Sequence, residues 1–278
     1  MIRYPLAVAV AVKTPPVIAG RLDDGIWAAA PVVARFTPRD PGEAVTTVIA
    51  DLLKQMSGTD AHANVTEVVH GTTLVTNTLI ERKGAPTGLV VTQGTRDVLD
   101  IGREWRYDLY DLNLEIPRPL VPHDKRREVG GRLDARGEVV TPLTADALER
   151  LLDEIAGLEV DAIAVCLLHA YVNDAHEKRI AAAIRKRFPQ LAVSISSGIA
   201  REIREYERMS TTVANAYVQP LMAEYLRRLD DRVHAFAPRA PLRIMVSSGG
   251  FTSGAAAAET PILLLAAGPA GGVLSALN

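Results

Sequence analysis

The sequence predicts an α/β fold with mixed, largely parallel sheets, and three observations predict it. Val68 and Val69 run into Gly71, Thr72 and Thr73, and a helical stretch closed by Gly84 follows; this is strand, tight turn, helix. Residues 161–168 are apolar almost without interruption, as in a parallel strand covered on both faces. From Thr144 to Ile195, helical and strand patterns alternate, which predicts a βαβ arrangement.

Composition sets the outer bounds. The chain has 278 residues, enough for a large core and one or two domains. Hydrophobic residues make up 48% and charged residues 23%, an ordinary globular balance. A net charge of -2 gives no electrostatic case for nucleic acid or an anionic membrane, so neither is expected as a partner. No apolar run approaches the roughly 20 residues of a membrane span. The single cysteine, Cys166, excludes an internal disulfide framework and sits in an apolar run, so a buried, inert thiol is expected. These features fit a cytoplasmic location.

Residues 6–12 read as a strand, and Pro15-Pro16 and Asp24-Gly25 mark turns after it. Val45, Val48, Ile49, Leu52 and Met56 fall at helical spacing. Residues 67–69 form the strand that enters the central turn. The hydroxyls of Thr72 and Thr73 then stand where they can cap the next helix and present donors to an anion; an ordinary cap without a ligand is the plain alternative. Residues 88–92 are the next strand. Val98, Leu99 and Ile101 are expected to pack, and Arg103, after a glycine, can aim into a cleft and pair with a carboxylate or phosphate in two-pronged fashion, or form a surface salt bridge. Residues 126–129 and 132–140 look like the two strands of a solvated hairpin turning at Ala135-Arg136-Gly137.

Thr144 can cap a helix over 145–158 with Leu148, Leu151, Leu152 and Ile155 as its buried stripe. The strand 161–168 ends at His169, where open α/β sheets favour ligands; neither His169 nor His176 has metal-ligand spacing, and no metal site is assigned. A helix over 175–188 and a strand over 191–195 follow. Next comes a long helix with Ile203, Tyr206, Met209, Val213 and Ala216 as its apolar stripe. Arg208, Thr211, Thr212 and Asn215 share its other face, a stripe of donors suited to an anionic or carbonyl-bearing ligand. Ser-Thr-Thr is a poor choice for a merely solvated helix, because those residues have weak helix propensity. A separate helix over 221–232, a strand over 242–246 and a glycine turn at Ser247-Ser248-Gly249-Gly250 complete the pattern. Gly268 and Gly271 open a last helix and permit close backbone approach.

His70-Gly71-Thr72-Thr73, continued by Thr76, Asn77, Leu79, Glu81, Arg82, Lys83 and Gly84, resembles the signature of the hydantoinase/oxoprolinase family, its A-type subunits. Asp97-Val98-Leu99 with Ile101-Gly102-Arg103, the stretch 195–220, Ser247 to Gly250, and Gly268-Pro269-Ala270-Gly271 continue the likeness over about residues 36–276. Arg201 stands where the family has proline, and Ser248 where it has asparagine. The family's Asp-x-Gly-Gly-Thr phosphate hairpin is absent from residues 1–37, and a second such loop is expected only beyond Asn278. Pro16, Ile18, Gly20, Leu22, Asp23 and Trp27 are instead similar to the opening of a carbohydrate-binding β-sandwich.

The resemblance implies half of an actin/hexokinase/Hsp70-like (ribonuclease H-like) ATPase, incomplete in this chain. It divides the chain into an atypical segment 1–37, an N-terminal family domain 38–190 and the beginning of the hydantoinase A domain, 191–278. It implies ATP-dependent hydrolysis of a cyclic amide of the 5-oxoproline or hydantoin type, as part of a larger enzyme, with this chain weak or inactive alone. A ketone carboxylase β-type subunit, or a non-catalytic assembly subunit or gene fragment, are the alternatives. ATP and Mg2+ are the implied cofactors, and a B-type partner and a homo-oligomer the implied assemblies. The binding candidates are His70, Gly71, Thr72, Thr73 and Asn77; Arg103; Arg208, Thr211, Thr212 and Asn215; and Gly249, Gly250, Gly268 and Gly271. No residue is assigned as the catalytic base.

Overall fold

A computed structural model describes residues 7–12, 65–103, 110–111, 113 and 117–268. The expected helix near residues 45–56, the turns at residues 13–37 and Gly271 lie outside the described residues. The chain divides into two compact units, residues 1–77 with 222–278, and residues 78–221.

The first unit holds a four-stranded sheet in the order β1 (Ala7–Val12), β2 (Val65–Gly71), β9 (Leu242–Met245), β10 (Phe251–Ser253). Strand β2 is antiparallel to β1 and parallel to β9, with His70 opposite Ile244. Val68, Leu242 and Ile244 are buried. Helix α1 (Leu74–Ile80) follows β2 after two residues, as the central stretch predicts. The chain crosses between the units within α1 and within helix α6 (Glu205–Phe236). In the first unit α6 buries Met222, Leu226, Leu229 and Val233, a stripe at helical spacing.

The second unit is built on a sheet ordered β4 (Arg126–Val129), β3 (Thr87–Thr92), β7 (Ala162–Cys166), β8 (Ala192–Ile195), with every pair parallel. Strands β3 and β7 are buried along their whole length, the pattern their apolar runs predict for a sheet covered on both sides. Helices α3 (Ala145–Ala156) and α4 (Ala175–Arg187) bring Leu151, Ile155, Ile180 and Ile184 against Val90, Ile163 and Val165. On the alternate side chains of the same strands, Leu89, Val91, Ala164 and Cys166 pack with Met209, Val213 and Ala216 of α6. Thr144 caps α3 by accepting from the Ala147 amide at 3.1 Å, and Cys166 is buried, both as expected.

Three expectations are corrected. Residues 126–129 do not belong to a solvated hairpin. They form the parallel strand β4, and only β5 (Arg132–Leu133) and β6 (Val139–Thr141) make the hairpin, turning at Gly137 with φ 80°. Arg126 is 1% exposed because Asp100 accepts its guanidinium and the Val121 and Arg96 carbonyls take the remaining donors. The short helix α2 (Val98–Ile101) leaves Ile101 exposed rather than packed. The two helices expected around residues 203–232 are one. Helix α6 runs through Pro220, Ile203 lies before it and is 67% exposed, and the Ala85 amide donates to the Tyr217 carbonyl beside the proline at 2.8 Å. Among the described residues no helix is long and apolar enough to cross a membrane.

Candidate functional site

In the first unit, the parallel pair β2 and β9 ends in two polar turns at one sheet edge. The turn after β2 carries Thr72 and Thr73. Thr72 Oγ1 accepts from the Leu74 amide at 3.2 Å, and the Thr73 carbonyl accepts from the Asn77 amide at 3.0 Å, so both threonines build the start of α1. The turn after β9 carries Ser247 to Gly250, with Gly249 at φ 85°. Ser247 Oγ donates to the Leu263 carbonyl at 2.6 Å and accepts from the Ala266 amide at 2.9 Å. Thr76 donates to the Leu265 carbonyl. The segment ending at Gly268 is thereby held against both turns, and a Cβ added at Gly268 would lie 3.2 Å from Thr73 Cγ2. Thr73, Thr76, Ser247 and Gly268 thus come together at the carboxyl edge of parallel strands, the edge where open α/β sheets hold ligands, with Thr72 and Asn77 on the adjoining turn and first helical turn.

One buried acceptor on this helix is unsatisfied among the described residues: Asn77 Oδ1. His70, one residue before the turn, is fully buried, with Nε2 2.7 Å from the Tyr225 hydroxyl and Nδ1 without a partner among the described residues. Burial pushes its imidazole down to about 4, so it is neutral near pH 7.

In the second unit, α6 buries Arg208, Thr212 and Asn215 completely or nearly so, and leaves Thr211 half-buried. Arg208 donates to the Leu167 carbonyl at 2.7 Å and the Glu202 carbonyl at 3.3 Å, and its guanidinium carbon lies 5.3 Å from the Tyr171 ring centre. Thr212 Oγ1 donates to the Arg208 carbonyl at 2.7 Å, and Asn215 Nδ2 donates to Ser194 Oγ at 3.0 Å. These donors face the sheet and are engaged within the unit. Arg208 Nε, Ser197 Oγ and His169 Nδ1 are buried without partners among the described residues around the carboxyl end of β7, and His169 has φ 56°. Arg103 is ion-paired with Glu207 at the half-exposed start of α6, and Glu207 is held below the usual carboxylate range by its own backbone amide and by Arg103.

Glu177 escapes the sequence reading. It is fully buried, and its carboxyl accepts from the Leu167 amide at 2.9 Å, Ser196 Oγ at 2.6 Å and the Ser197 amide at 2.8 Å. The signal for it is its place on the apolar stripe of α4, in phase with Ile180, Ala181 and Ile184.

The sequence pattern of the hydantoinase/oxoprolinase N-terminal region matches residues 20–188, and that of the hydantoinase/oxoprolinase A region matches residues 208–278. The chain is 32% identical over 241 residues to the caprolactamase α subunit of Pseudomonas jessenii, covering 85% of this chain and 35% of that one. It is 30% identical over 224 residues to 5-oxoprolinase 1 of Arabidopsis thaliana, covering 73% of this chain and 17% of the relative. The crystal structure of the ATP-dependent caprolactamase from P. jessenii superposes with a TM-score of 0.74 at 32% identity, over 84% of this chain and 35% of that one. Nucleotide-free acetone carboxylase shares the fold, with a TM-score of 0.77 at 24% identity over 87% and 36% of the two chains. The chain thus spans about a third of the caprolactamase subunit, and less of the plant relative. Two matching regions that together cover most of the sequence place it: the chain belongs to the hydantoinase/oxoprolinase family.

Proposed function

We propose that this chain is the nucleotide- and lactam-handling part of an ATP-dependent cyclic-amide hydrolase, acting on a ring of the 5-oxoproline or hydantoin type. The observation that carries the reading is the meeting of Thr73, Thr76, Ser247 and Gly268 at the carboxyl edge of β2 and β9, with Thr72 and Asn77 beside them on the same turn and helix. The named relatives act with ATP or on cyclic amides by their own descriptions. The proposed fold is one half of an actin/hexokinase/Hsp70-like ATPase, with the family regions divided at residues 38–190 and 191–278.

The residues fit a nucleotide or lactam in part. Asn77 Oδ1 is a buried acceptor able to take a ring N–H or a ribose hydroxyl. A Cβ added at Gly268 would lie 3.2 Å from Thr73 Cγ2, so the Gly268 backbone and the Thr73 methyl approach each other closely. No lysine or arginine stands among these residues, so the phosphate donors they offer are hydroxyls and backbone amides, and among the described residues no three metal-ligating side chains come together. ATP, when bound, supplies the phosphoryl group that turns an amide oxygen into a leaving group. The role assigned to the chain is to hold the ring: Asn77 orients an N–H, and neutral His70 fixes the floor beneath Gly71 through Tyr225.

The test is calorimetry of Mg-ATP against the full chain. Binding that weakens at least tenfold in Asn77→Ala and in Gly268→Val is expected; no heat from the unaltered chain, or heat indifferent to both changes, overturns the reading. The chain is proposed to turn over weakly by itself and to need a B-type partner, in a homo-oligomeric cytoplasmic assembly. Vigorous lactam-dependent ATP hydrolysis by the chain alone would overturn that second half. A ketone carboxylase β-type role is the second reading, favoured by 27% identity over 257 residues to the acetone carboxylase β subunit of Xanthobacter autotrophicus. Stimulation of ATP hydrolysis by acetone with bicarbonate, and not by a lactam, selects it.

A further inference from the structure

We propose that the cavity between β4 and α3 is a binding site for a small multivalent oxyanion, a compound carrying two or more phosphate or carboxylate groups. The inference goes beyond the cyclic-amide reading and shares no residue with it. The cavity has a volume of about 620 Å³, lies wholly within the second unit and opens at the carboxyl ends of β3 and β4, where Gln93, Val129 and Gly130 contribute to its wall. Its size suits a small molecule rather than a polymer.

The charge of its lining is unbalanced. Arg96, Arg126, Arg127 and Arg150 face Glu128 and Glu154. Arg126 is occupied by Asp100, and Arg127 Nε lies 3.7 Å from Glu154. Glu128 Oε1 accepts from the Gly94 amide at 2.8 Å. Arg96 and Arg150 have no acceptor among the described residues, so two guanidinium forks line the cavity unmatched. A guanidinium presents parallel N–H donors that match the oxygen pairs of carboxylate and phosphate.

Both forks stand on fixed supports. The Arg96 carbonyl accepts from buried Arg126 at 3.0 Å, so the backbone beneath Arg96 is anchored to the core. Arg150 is carried on α3, which is pinned to the sheet by Leu148, Leu151, Leu152 and Ile155. Arg96 and Arg150 line one cavity with Glu128 and Glu154, and an anion of two or more charges that bridges the two guanidinium groups offsets their like charge.

The probes are pyrophosphate and citrate, titrated by calorimetry into the full chain and into Arg96→Ala/Arg150→Ala and Arg150→Gln. Arg150 is exposed and has no acceptor among the described residues, so Arg150→Gln keeps the fold, and circular dichroism melting verifies this for both variants. At least one probe is expected to bind the unaltered chain, with affinity falling as NaCl rises. Affinity should drop at least tenfold in the double variant and severalfold in Arg150→Gln, while Gly268→Val, at the proposed nucleotide cluster, binds the probe as the unaltered chain does. Pyrophosphate binding alone assigns a phosphate compound, and citrate binding alone a polycarboxylate. Failure of both probes to bind, affinities unmoved by both arginine variants, or binding lost in Gly268→Val overturns the proposal.

Discussion

Replacing Glu177 by alanine strips three donors of their acceptor in a place water does not reach. The Leu167 and Ser197 amides and the Ser196 hydroxyl all point at its carboxyl, at 2.9, 2.8 and 2.6 Å, and the side chain is fully buried. The hydroxyl can rotate to another acceptor; the two amides, fixed by β7 and by the short helix α5 (Ser196–Ile199), cannot. A buried donor left unsatisfied costs roughly 1–3 kcal/mol, so Glu177→Ala should lose about 3–5 kcal/mol, a large part of the ~5–15 kcal/mol by which domains are stable. Glu177→Gln tests the cause. Its oxygen can still serve the two donors that share Oε1, but its amide group then faces the Ser197 amide, donor against donor. The expected loss is about 1–2 kcal/mol. Urea unfolding followed by far-UV circular dichroism gives both numbers. Hydrogen exchange at the Leu167 and Ser197 amides should accelerate more in the alanine variant than in the glutamine variant. An alanine variant within about 1 kcal/mol of the unaltered chain, or two variants equally destabilised, would refute the hydrogen-bond argument.

Two further predictions rest on the first and second units in turn. Because folding lowers the His70 pKa to about 4 from 6.5, the unfolded chain binds the proton more readily; the stability this group permits is complete above pH 6.5 and is lost as pH falls toward 4. The loss is on the order of 3 kcal/mol, and urea midpoints at pH 7, 5.5 and 4 should fall less steeply in His70→Gln. At Gly84 an added Cβ would collide with the Tyr217 ring and come within 2.5 Å of its carbonyl, so Gly84→Ala should cost about 3 kcal/mol and lower the melting temperature by several degrees, whereas Gly130→Ala, with no neighbour nearer than 3.8 Å, should leave it almost unchanged.

Local patterns made part of this fold legible. The continuous apolar run at 161–168 and the capped amphipathic helix after Thr144 each declare themselves within a dozen residues, and β7 and α3 are where they were expected. Strand β4 is not legible that way. Arg-Arg-Glu-Val carries the charge of a solvated edge, and only partners outside the strand, β3 beside it and the Asp100 carboxylate with the Val121 and Arg96 carbonyls around its guanidinium, make burial of Arg126 affordable. Pro220 misleads for a related reason. It reads as a helix break, yet α6 passes through it because the helix is held by side-chain burial before and after the proline, with Met209 and Val213 in one unit and Met222 and Leu226 in the other.

The donor stripe of α6 shows how one residue pattern serves two ends. Arginine, threonine and asparagine at i, i+4 and i+7 are equally what a ligand face and a polar core need, since both must satisfy hydrogen bonds away from water. The partners decide between them. Thr212 and Asn215 are engaged by the Arg208 carbonyl and by Ser194, and both terminal nitrogens of Arg208 are engaged by the Leu167 and Glu202 carbonyls. Leu167 is also the residue whose amide Glu177 holds, so the two peptides flanking its Cα are both held, one N–H by a carboxyl and one C=O by a guanidinium. The arrangement fixes the end of β7 immediately before His169, whose positive φ is a conformation that only a firmly held neighbour sustains. What remains for any ligand at this edge is the unpartnered Arg208 Nε with Ser197 Oγ and His169 Nδ1, not the stripe as a whole.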